Sequence, residues 1–345
     1  MQLERFSPQT DPLQPLTDEI VQTLRQVIPA GEPCALLDHP DHANVGDSAI
    51  WLGERMFLRR NGNRVAYSCS TRTYHEATLR AALPRGTVLI HGGGNFGTLW
   101  PHHHELRERS LATLHDYPLV QLPQSIHFDN AAALRRTAAL IGAHPAFTLL
   151  VRDHAALRIG RDELGANTLL CPDSALMLGR AVQRAPPDVD CLVLARTDKE
   201  RAFAGIEAAF QGLGISVAAL DWLDEPRGVL HRIRDRLTAS SRRVWARSAA
   251  FQWPMLQVWD RLAQQRTWRG CRLLSRGRIV VTDRLHAHIL CTLLGIPHIV
   301  LDNNCGKLSG FIRCWTAWHP LCHLADSVAE ATRIATRLLA SPPTS

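Results

Sequence analysis

V-V-T-D-R-L-H-A-H-I-L-C-T-L-L-G-I-P-H-I-V-L-D-N-N-C-G-K-L-S-G-F, residues 280 to 311, reads as a strand, an apolar helix and a second strand in direct succession. The first strand, Arg278 to Val281, delivers Arg284 and His286 into the first turn of the helix, and the second, His298 to Leu301, ends beside Asn303, Asn304 and Lys307. A strand followed by a helix and another strand is the repeating unit of a mostly parallel sheet with helices on both faces.

Working outward from this unit, the same alternation recurs along the chain. Short apolar runs at Cys34 to Asp38, Arg64 to Ser68, Thr87 to His91, Leu119 to Pro123, Thr148 to Arg152 and Thr168 to Cys171 predict buried strands. Helical patterns fall at Thr17 to Val27, Ala49 to Arg60, Ala131 to Ile141 and Ala155 to Ile159. The Pro-rich stretch A-V-Q-R-A-P-P-D-V-D, residues 181 to 190, reads as a linker, and a second series opens with C-L-V-L-A-R at 191 and continues at Ile215 to Leu220. The expected architecture is α/β, with two Rossmann-like domains facing a cleft, residues 1–183 and 188–345, which suits a chain of 345 residues. In such sheets ligands bind beyond the carboxyl ends of the strands, so the residues that follow each strand are the candidates for chemistry.

Several of those positions are chemically rich. D-H-A-N-V-G-D-S, residues 41 to 48, follows the first strand and leads into a helix. Asn44 and Gly46 permit a tight turn, while Asp47 either caps the helix, as Ser48 also could, or accepts the proton of a substrate hydroxyl. L-I-H-G-G-G-N-F-G, residues 89 to 97, sets Gly92, Gly93 and Gly94, then Asn95, directly after a strand. There backbone N–H groups can approach an oxyanion, or the glycines can serve packing alone. It is not G-x-G-x-x-G and has no acidic residue at the spacing of a ribose contact, which speaks against a dinucleotide. Arg152 follows an apolar strand and suits a carboxylate or phosphate; Asp153 and Asp173 read as helix N-caps. Arg284, His286 and Lys307 together make an anion site with a titratable group inside it. His288 cannot share a helical face with His286 and reads as structural. Lys307 and Lys199 are the chain's only lysines, so a compact ammonium at 307 is notable.

Net charge is +7 with pI near 9.2, carried almost entirely by arginine. Nothing resembles a nucleic-acid motif, and no nucleic-acid partner is expected. The segment Arg227 to Arg247, flanked by Trp222 and Trp245, is either a solvated helix face or a peripheral membrane contact. Nine cysteines without a C-x-x-C pair fit a reducing compartment. The N-terminus lacks the pattern of a signal peptide, and no run approaches a membrane span, so a cytoplasmic protein is expected. His102, His103, His104 and Glu105, like Asp38, His39, Asp41 and His42, look metal-like, but adjacent histidines seldom reach one ion and H-E-x-x-H is absent; no metal is expected. Neither a Walker A string nor a nucleophile elbow is present.

The ordered set N-V-G-D at 44 to 47, H-G-G-G-N at 91 to 95, R-D at 152 to 153, P-D-S-A-L at 172 to 176, D-R-L-H-A at 283 to 287, G-I-P at 295 to 297 and Lys307 resembles the polysaccharide pyruvyl transferase family. The resemblance implies a GT-B-like fold and transfer of pyruvate from phosphoenolpyruvate to a sugar as a ketal, with no cofactor. It places donor contacts and catalysis on Arg152, Arg284, His286 and Lys307. The implied partners are phosphoenolpyruvate and a saccharide acceptor, lipid-linked or free. Residues 221 to 275 match no pattern of the family and leave the acceptor side unassigned. Two other readings stay open on sequence: a nucleotide-sugar glycosyltransferase of the same architecture, which lacks a well-placed ribose carboxylate here, and a non-catalytic anion- or glycan-binding protein.

Overall fold

A computed structural model describes residues 12–181, 184–196, 205–241, 252–302 and 306–340. The expected strands are present, with two additions. The first half carries β1 (Cys34–Leu37), β2 (Val65–Cys69), β3 (Thr87–Ile90), β4 (Gly93–Gly97), β5 (Leu119–His127), β6 (Phe147–Val151) and β7 (Asn167–Leu170). The second carries β8 (Val189–Leu194), β9 (Val217–Ala219), β10 (Gly277–Thr282), β11 (His298–Leu301) and β12 (Cys322–Ala325). The helices are α1 (Gln14–Val27), α2 (Val45–Arg60), α3 (Glu76–Ala82), α4 (Pro101–Thr113), α5 (Ala131–Ala143) and α6 (His154–Arg158), then α7 (Ile206–Gln211), α8 (Val229–Ser241), α9 (Gln252–Ser275), α10 (Leu285–Leu294), α11 (Lys307–Trp315) and α12 (Val328–Ala340).

Every strand pairing is parallel, in two sheets ordered β2-β1-β3-β5-β6-β7, with β4 beside β5, and β12-β11-β10-β8-β9. Strands buried on both faces explain the continuous apolar runs: all four residues of β1, β3 and β11 are buried. The fold is two Rossmann-like halves, and strand order reverses between β1 and β3 in one and between β8 and β10 in the other. Both reversals open a crevice at the carboxyl ends of the strands, where α/β sheets bind ligands.

β4 is the first addition. The glycine run read as an open phosphate loop continues instead as a short strand on β5. Gly97 (φ 110°) shows why glycine is needed there, since a Cβ would sit 1.9 Å from the carbonyl oxygen of His127. β12 is the second; its half-buried, histidine-bearing sequence carries little strand signal.

Helix α2 is the pivot of the molecule. A Cβ at Gly53 would lie 1.8 Å from the Ser174 carbonyl oxygen, and one at Gly270 of α9 would lie 2.2 Å from Val45, so glycines on both sides let α2 seat closely. Asp260 of α9 accepts from Trp51 Nε1 (2.8 Å) and from the Arg55 guanidinium (3.2 Å), with Arg55 buried. Breaking a buried pair of this kind costs about 3–5 kcal/mol, which makes α9 a brace of the first half although it follows β9 in sequence.

Candidate functional site

The two crevices share one cavity of about 420 Å³. From the first half it is walled by His42, Asn44 and Asp47 after β1, by Gly94 and Asn95 after β3, and by His103 and Arg152. The second half contributes Arg196 after β8, Arg284 and His286 after β10, and Trp222 and Leu308. Six of the positions singled out from sequence, Asn44, Asp47, Gly94, Asn95, Arg152 and Arg284, therefore meet His286 in one place. Gly46 stands behind His286 and Gly93 behind Asp47, while Gly92 faces Glu54 and Pro123. The side chain of Lys307, with Asn303 and Asn304, lies outside the described residues; the Lys307 backbone opens α11.

The first turn of α2 sets the geometry. Its N-cap is Asn44, whose Oδ1 accepts from Gly46 N at 3.0 Å, not Asp47 or Ser48 as the spacing suggested. The physical reason is that Asn44 has the extended backbone an N-cap needs (φ −62°, ψ 118°), while Val45 is already helical. Asp47 is thereby released toward the cavity, held by Asn44 Nδ2 (2.8 Å) and near His42 Nε2 (3.6 Å). Burial pushes its carboxyl up, but His42, His286 and other nearby histidines outweigh this and bring it below the usual range, so it is ionised at neutral pH. One residue back, Gly46 faces the other half: a Cβ there would lie 2.4 Å from His286 Nδ1. The glycine of N-V-G-D exists so that the histidine of R-L-H can lie against the helix.

His286 is held from its other side by Asp173, whose Oδ2 lies 3.4 Å from Nε2. Asp173 does cap the following segment through Ala175 N (2.9 Å), but the same carboxylate takes Arg152 Nη1 at 2.5 Å. Burial would raise this carboxyl; His286 and Arg152 pull it far below the carboxylate range instead, so it is a permanent anion. Arg152 also donates from Nη2 to Ser125 Oγ (2.7 Å), and its carbonyl accepts from Trp315 Nε1 of α11 (2.7 Å). Arg284 Nη2 donates to Asp221 Oδ1 (3.1 Å), with its guanidinium 5.7 Å from the Trp222 ring centre. Trp222, Asp221 and α9 give residues 221–275 a place: they close one wall and brace α2. Of the basic segment 227–247, residues 242–247 and Trp245 lie outside the described residues, and Arg234 turns inward to Asp41 at 2.8 Å.

The wall opposite His286 was not legible in sequence. Asp38, the one non-glycine residue with positive φ (69°) among the described residues, receives His103 Nδ1 at 2.8 Å. Burial lowers His103, but Asp38 outweighs it and the imidazole ends above its ordinary value. Glu54 pairs with His91 Nδ1 at 2.7 Å and accepts from Gly92 N at 2.8 Å, while Asn95 N donates to Gln124 Oε1 at 3.3 Å. These two amides are used within the protein, and so is the Asn95 side chain, whose Oδ1 accepts from Arg107 Nη2 (2.9 Å) and Gln124 Nε2 (2.8 Å) and whose Nδ2 donates to Asp38 Oδ2 (3.4 Å), which leaves Gly94 facing the cavity. Of the histidines at 39, 42, 102, 103 and 104, His42 and His103 meet edge to face at the cavity (6.2 Å between ring centres), while His39 stacks on Trp259 (4.5 Å) and His104 Nε2 meets Thr137 Oγ1 (3.0 Å). Arg196 is the residue that sequence reading passed over, and Asp173 was read only as a helix cap. Arg196 could have been found by the rule that found Arg152, an arginine at the end of an apolar strand.

A cleft between two parallel sheets, floored by a histidine between an aspartate and a glycine helix turn and walled by arginines, is what five of the seven motifs assemble. The model of one family, polysaccharide pyruvyl transferase, matches residues 44–304. The chain belongs to the polysaccharide pyruvyl transferase family. Pyruvyl transferase 1 of Schizosaccharomyces pombe is 32% identical over 298 residues, 81% of this chain and 69% of that protein. Putative pyruvyl transferase EpsO of Bacillus subtilis is 29% identical over 317 residues, 89% of this chain and 92% of that one. In fold, the pyruvyl transferase family chain is similar to a functional uncharacterized protein from Klebsiella pneumoniae, with a TM-score of 0.57 at 16% identity, over 90% of this chain and 99% of that one. The span of the family match opens at Asn44, runs through Asp173 and passes His286, so it includes the helix turn, the anion and the imidazole described above.

Proposed function

We propose that this chain transfers the pyruvyl group of phosphoenolpyruvate to a sugar residue of an exopolysaccharide or other cell-surface glycan precursor, forming a ketal. The observation that carries the reading is His286, pinned between Asp173 and Gly46 at the floor of an arginine-walled cavity. The reaction protonates the methylene carbon of the enol phosphate, a sugar hydroxyl attacks the cationic C2, phosphate leaves with the C2–O bond, and a second hydroxyl closes the ring. An imidazole, which titrates near neutrality, is the side chain suited to give that proton. Arg152, Arg284 and Lys307, with Arg196 beside them, neutralise the carboxylate and phosphate. Asp47, ionised and next to His42, accepts the hydrogen bond of the attacking hydroxyl and sets its direction; Asn44 holds Asp47, and Asn95 holds the opposite wall of the acceptor side. The donor already carries its activation, so the chemistry needs no cofactor.

Among the described residues no helix is long and apolar enough to cross a membrane. Trp253 and Trp268 of α9 are 70% and 50% exposed, and Val229 of α8 is 60% exposed, on the side of the arginine-rich helix. This face supports a lipid-linked acceptor met at the inner surface of the cell membrane. Cosedimentation with anionic vesicles tests that location; a protein that stays in the supernatant at low salt does not use it.

The transfer itself is tested by phosphate release from phosphoenolpyruvate with galactose-, glucose- and mannose-containing acceptors, with mass spectrometry of the product. Acceptor-dependent release with a pyruvyl adduct is expected. Consumption of nucleotide sugars with no adduct from any acceptor would replace this reading by the glycosyltransferase one.

A further inference from the structure

On the far side of α10 from His286, three side chains meet that the transfer reaction does not use. His298 and Cys322 are the first residues of the neighbouring strands β11 and β12 and stand directly opposite each other in register, so they share one face of the sheet. His288 of α10 comes down on that face, its Nδ1 2.8 Å from His298 Nε2 and 3.5 Å from Cys322 Sγ. The ligand atoms of all three lie within 4.8 Å of one another. His319, three residues before Cys322, is buried, and its Nδ1 has no hydrogen-bond partner among the described residues. It stands outside the group of three whose ligand atoms gather within 4.8 Å.

We propose that His288, His298 and Cys322 form a site for a thiophilic divalent cation of the zinc type, with water as the fourth ligand. Tetrahedral zinc, at about 2.3 Å from sulfur and about 2.0 Å from nitrogen, separates sulfur from nitrogen by roughly 3.5 Å and two nitrogens by roughly 3.3 Å. The observed sulfur–nitrogen distance already has that value, and the nitrogen pair is about half an ångström short of it, as expected where a shared proton holds the place of the ion. The outer partners are those of a metal site too. His298 Nδ1 lies 2.8 Å from the Ile296 carbonyl, and His288 Nε2 lies 2.9 Å from Thr316 Oγ1, which fixes both rings with their other nitrogens toward the centre. On binding, the proton of neutral His288 moves from Nδ1 to Nε2, toward Thr316 Oγ1, and the Cys322 thiol gives up its proton to solvent. The ion ties α10, β11 and β12 together beneath the helix that carries His286.

The test uses the full chain purified without chelator. Plasma mass spectrometry is expected to find about one zinc per chain, and the stripped protein titrated with Co(II) to develop the sulfur-to-cobalt charge-transfer band and intense visible bands of a four-coordinate site. Cys322→Ser should abolish the charge-transfer band, and Thr316→Val should weaken Co(II) binding by about tenfold. X-ray absorption of the wild-type zinc protein gives a readout that needs no variant: one sulfur at about 2.3 Å with imidazoles at about 2.0 Å. A zinc-free protein whose cobalt titration gives no charge-transfer band, a band undiminished in a folded Cys322→Ser, or an all-nitrogen-and-oxygen zinc shell each overturns the proposal and leaves a hydrogen-bonded triad.

Discussion

His286 and His288 stand two residues apart on α10, about 200° around its axis, in opposite surroundings. His288 is fully buried, with one nitrogen on His298 and the other on Thr316. His286 faces the cavity, meets Asp173 only at 3.4 Å, and rests its Nδ1 against a glycine of the other half. Burial alone does not separate the two, since both lie in the interior of the molecule. What separates them is whether partners within the protein satisfy the ring: a histidine with both nitrogens engaged is part of the framework, and one held in place but short of partners at a cavity wall is available to a ligand.

The largest expected effect tests this division directly. His286→Asn should lower pyruvyl transfer by about 10³-fold, equivalent to roughly 4 kcal/mol of barrier, through loss of the general acid. Its melting temperature should stay near that of wild type. His288→Asn should do the reverse, keeping kcat within a few-fold while losing about 2–4 kcal/mol of stability, because it breaks a buried network. Equal loss of activity in both variants, measured by phosphate release beside thermal melting, would erase the distinction.

Asp173 belongs to both categories, which sharpens the comparison. It caps a segment, pairs with Arg152 and holds His286, so Asp173→Asn leaves a buried guanidinium without its anion and should cost about 3 kcal/mol or more of stability in addition to activity. A purely catalytic Asp173 would leave chemical denaturation unchanged.

The division also marks how far sequence could reach. Strands buried on both faces write themselves as apolar runs, and reading the residue after each run found Arg152, Arg284 and His286. Asp173 was visible as a cap, a local feature, while its contacts with Arg152, 21 residues away, and with His286 lie outside any local pattern. The same holds for Asp38 with His103 and for the triad around His288, whose members come from α10, β11 and β12. β4 escaped because glycine has no strand propensity to register; its strand character comes from pairing with β5. Asn44 was seen as a turn residue and proved to be the cap, so the helix starts at Val45, four residues before the expected Ala49, because Asn44 and not Asp47 has the extended backbone of a cap.

Gly46→Ala probes the contact that joins the two regions of the site. Its Cβ would lie 2.4 Å from His286 Nδ1, so the ring must move by about 1 Å. Displacement on that scale should lower kcat by about 10²-fold, or roughly 2.7 kcal/mol, with phosphoenolpyruvate KM changed far less, because the arginines are untouched. Gly31→Ala provides the contrast: no atom lies within 4 Å of its Cβ, and it should leave kcat unchanged while paying only for its positive φ in stability.

The smallest effect is read in pH. Burial drives His288 well below the ordinary imidazole value, with help from His298 and His319, and drives His298 down to about 4. For a base whose folded value is depressed, the unfolded chain binds the proton first as pH falls below about 6.5, so stability is lost on acidification between 6.5 and the folded value. In chelated protein, each such imidazole contributes a slope of at most about 1.4 kcal/mol per pH unit across that window. The unfolding free energy of His288→Gln, followed by denaturant titration from pH 6.5 to 4.5, should therefore fall less steeply than that of wild type by about one proton's worth. His286→Gln, on the same helix but outside the buried triad, is the control. A wild-type slope retained in His288→Gln would mean that His288 takes up its proton in the folded state, and the framework role assigned to it would fail on its own physical ground.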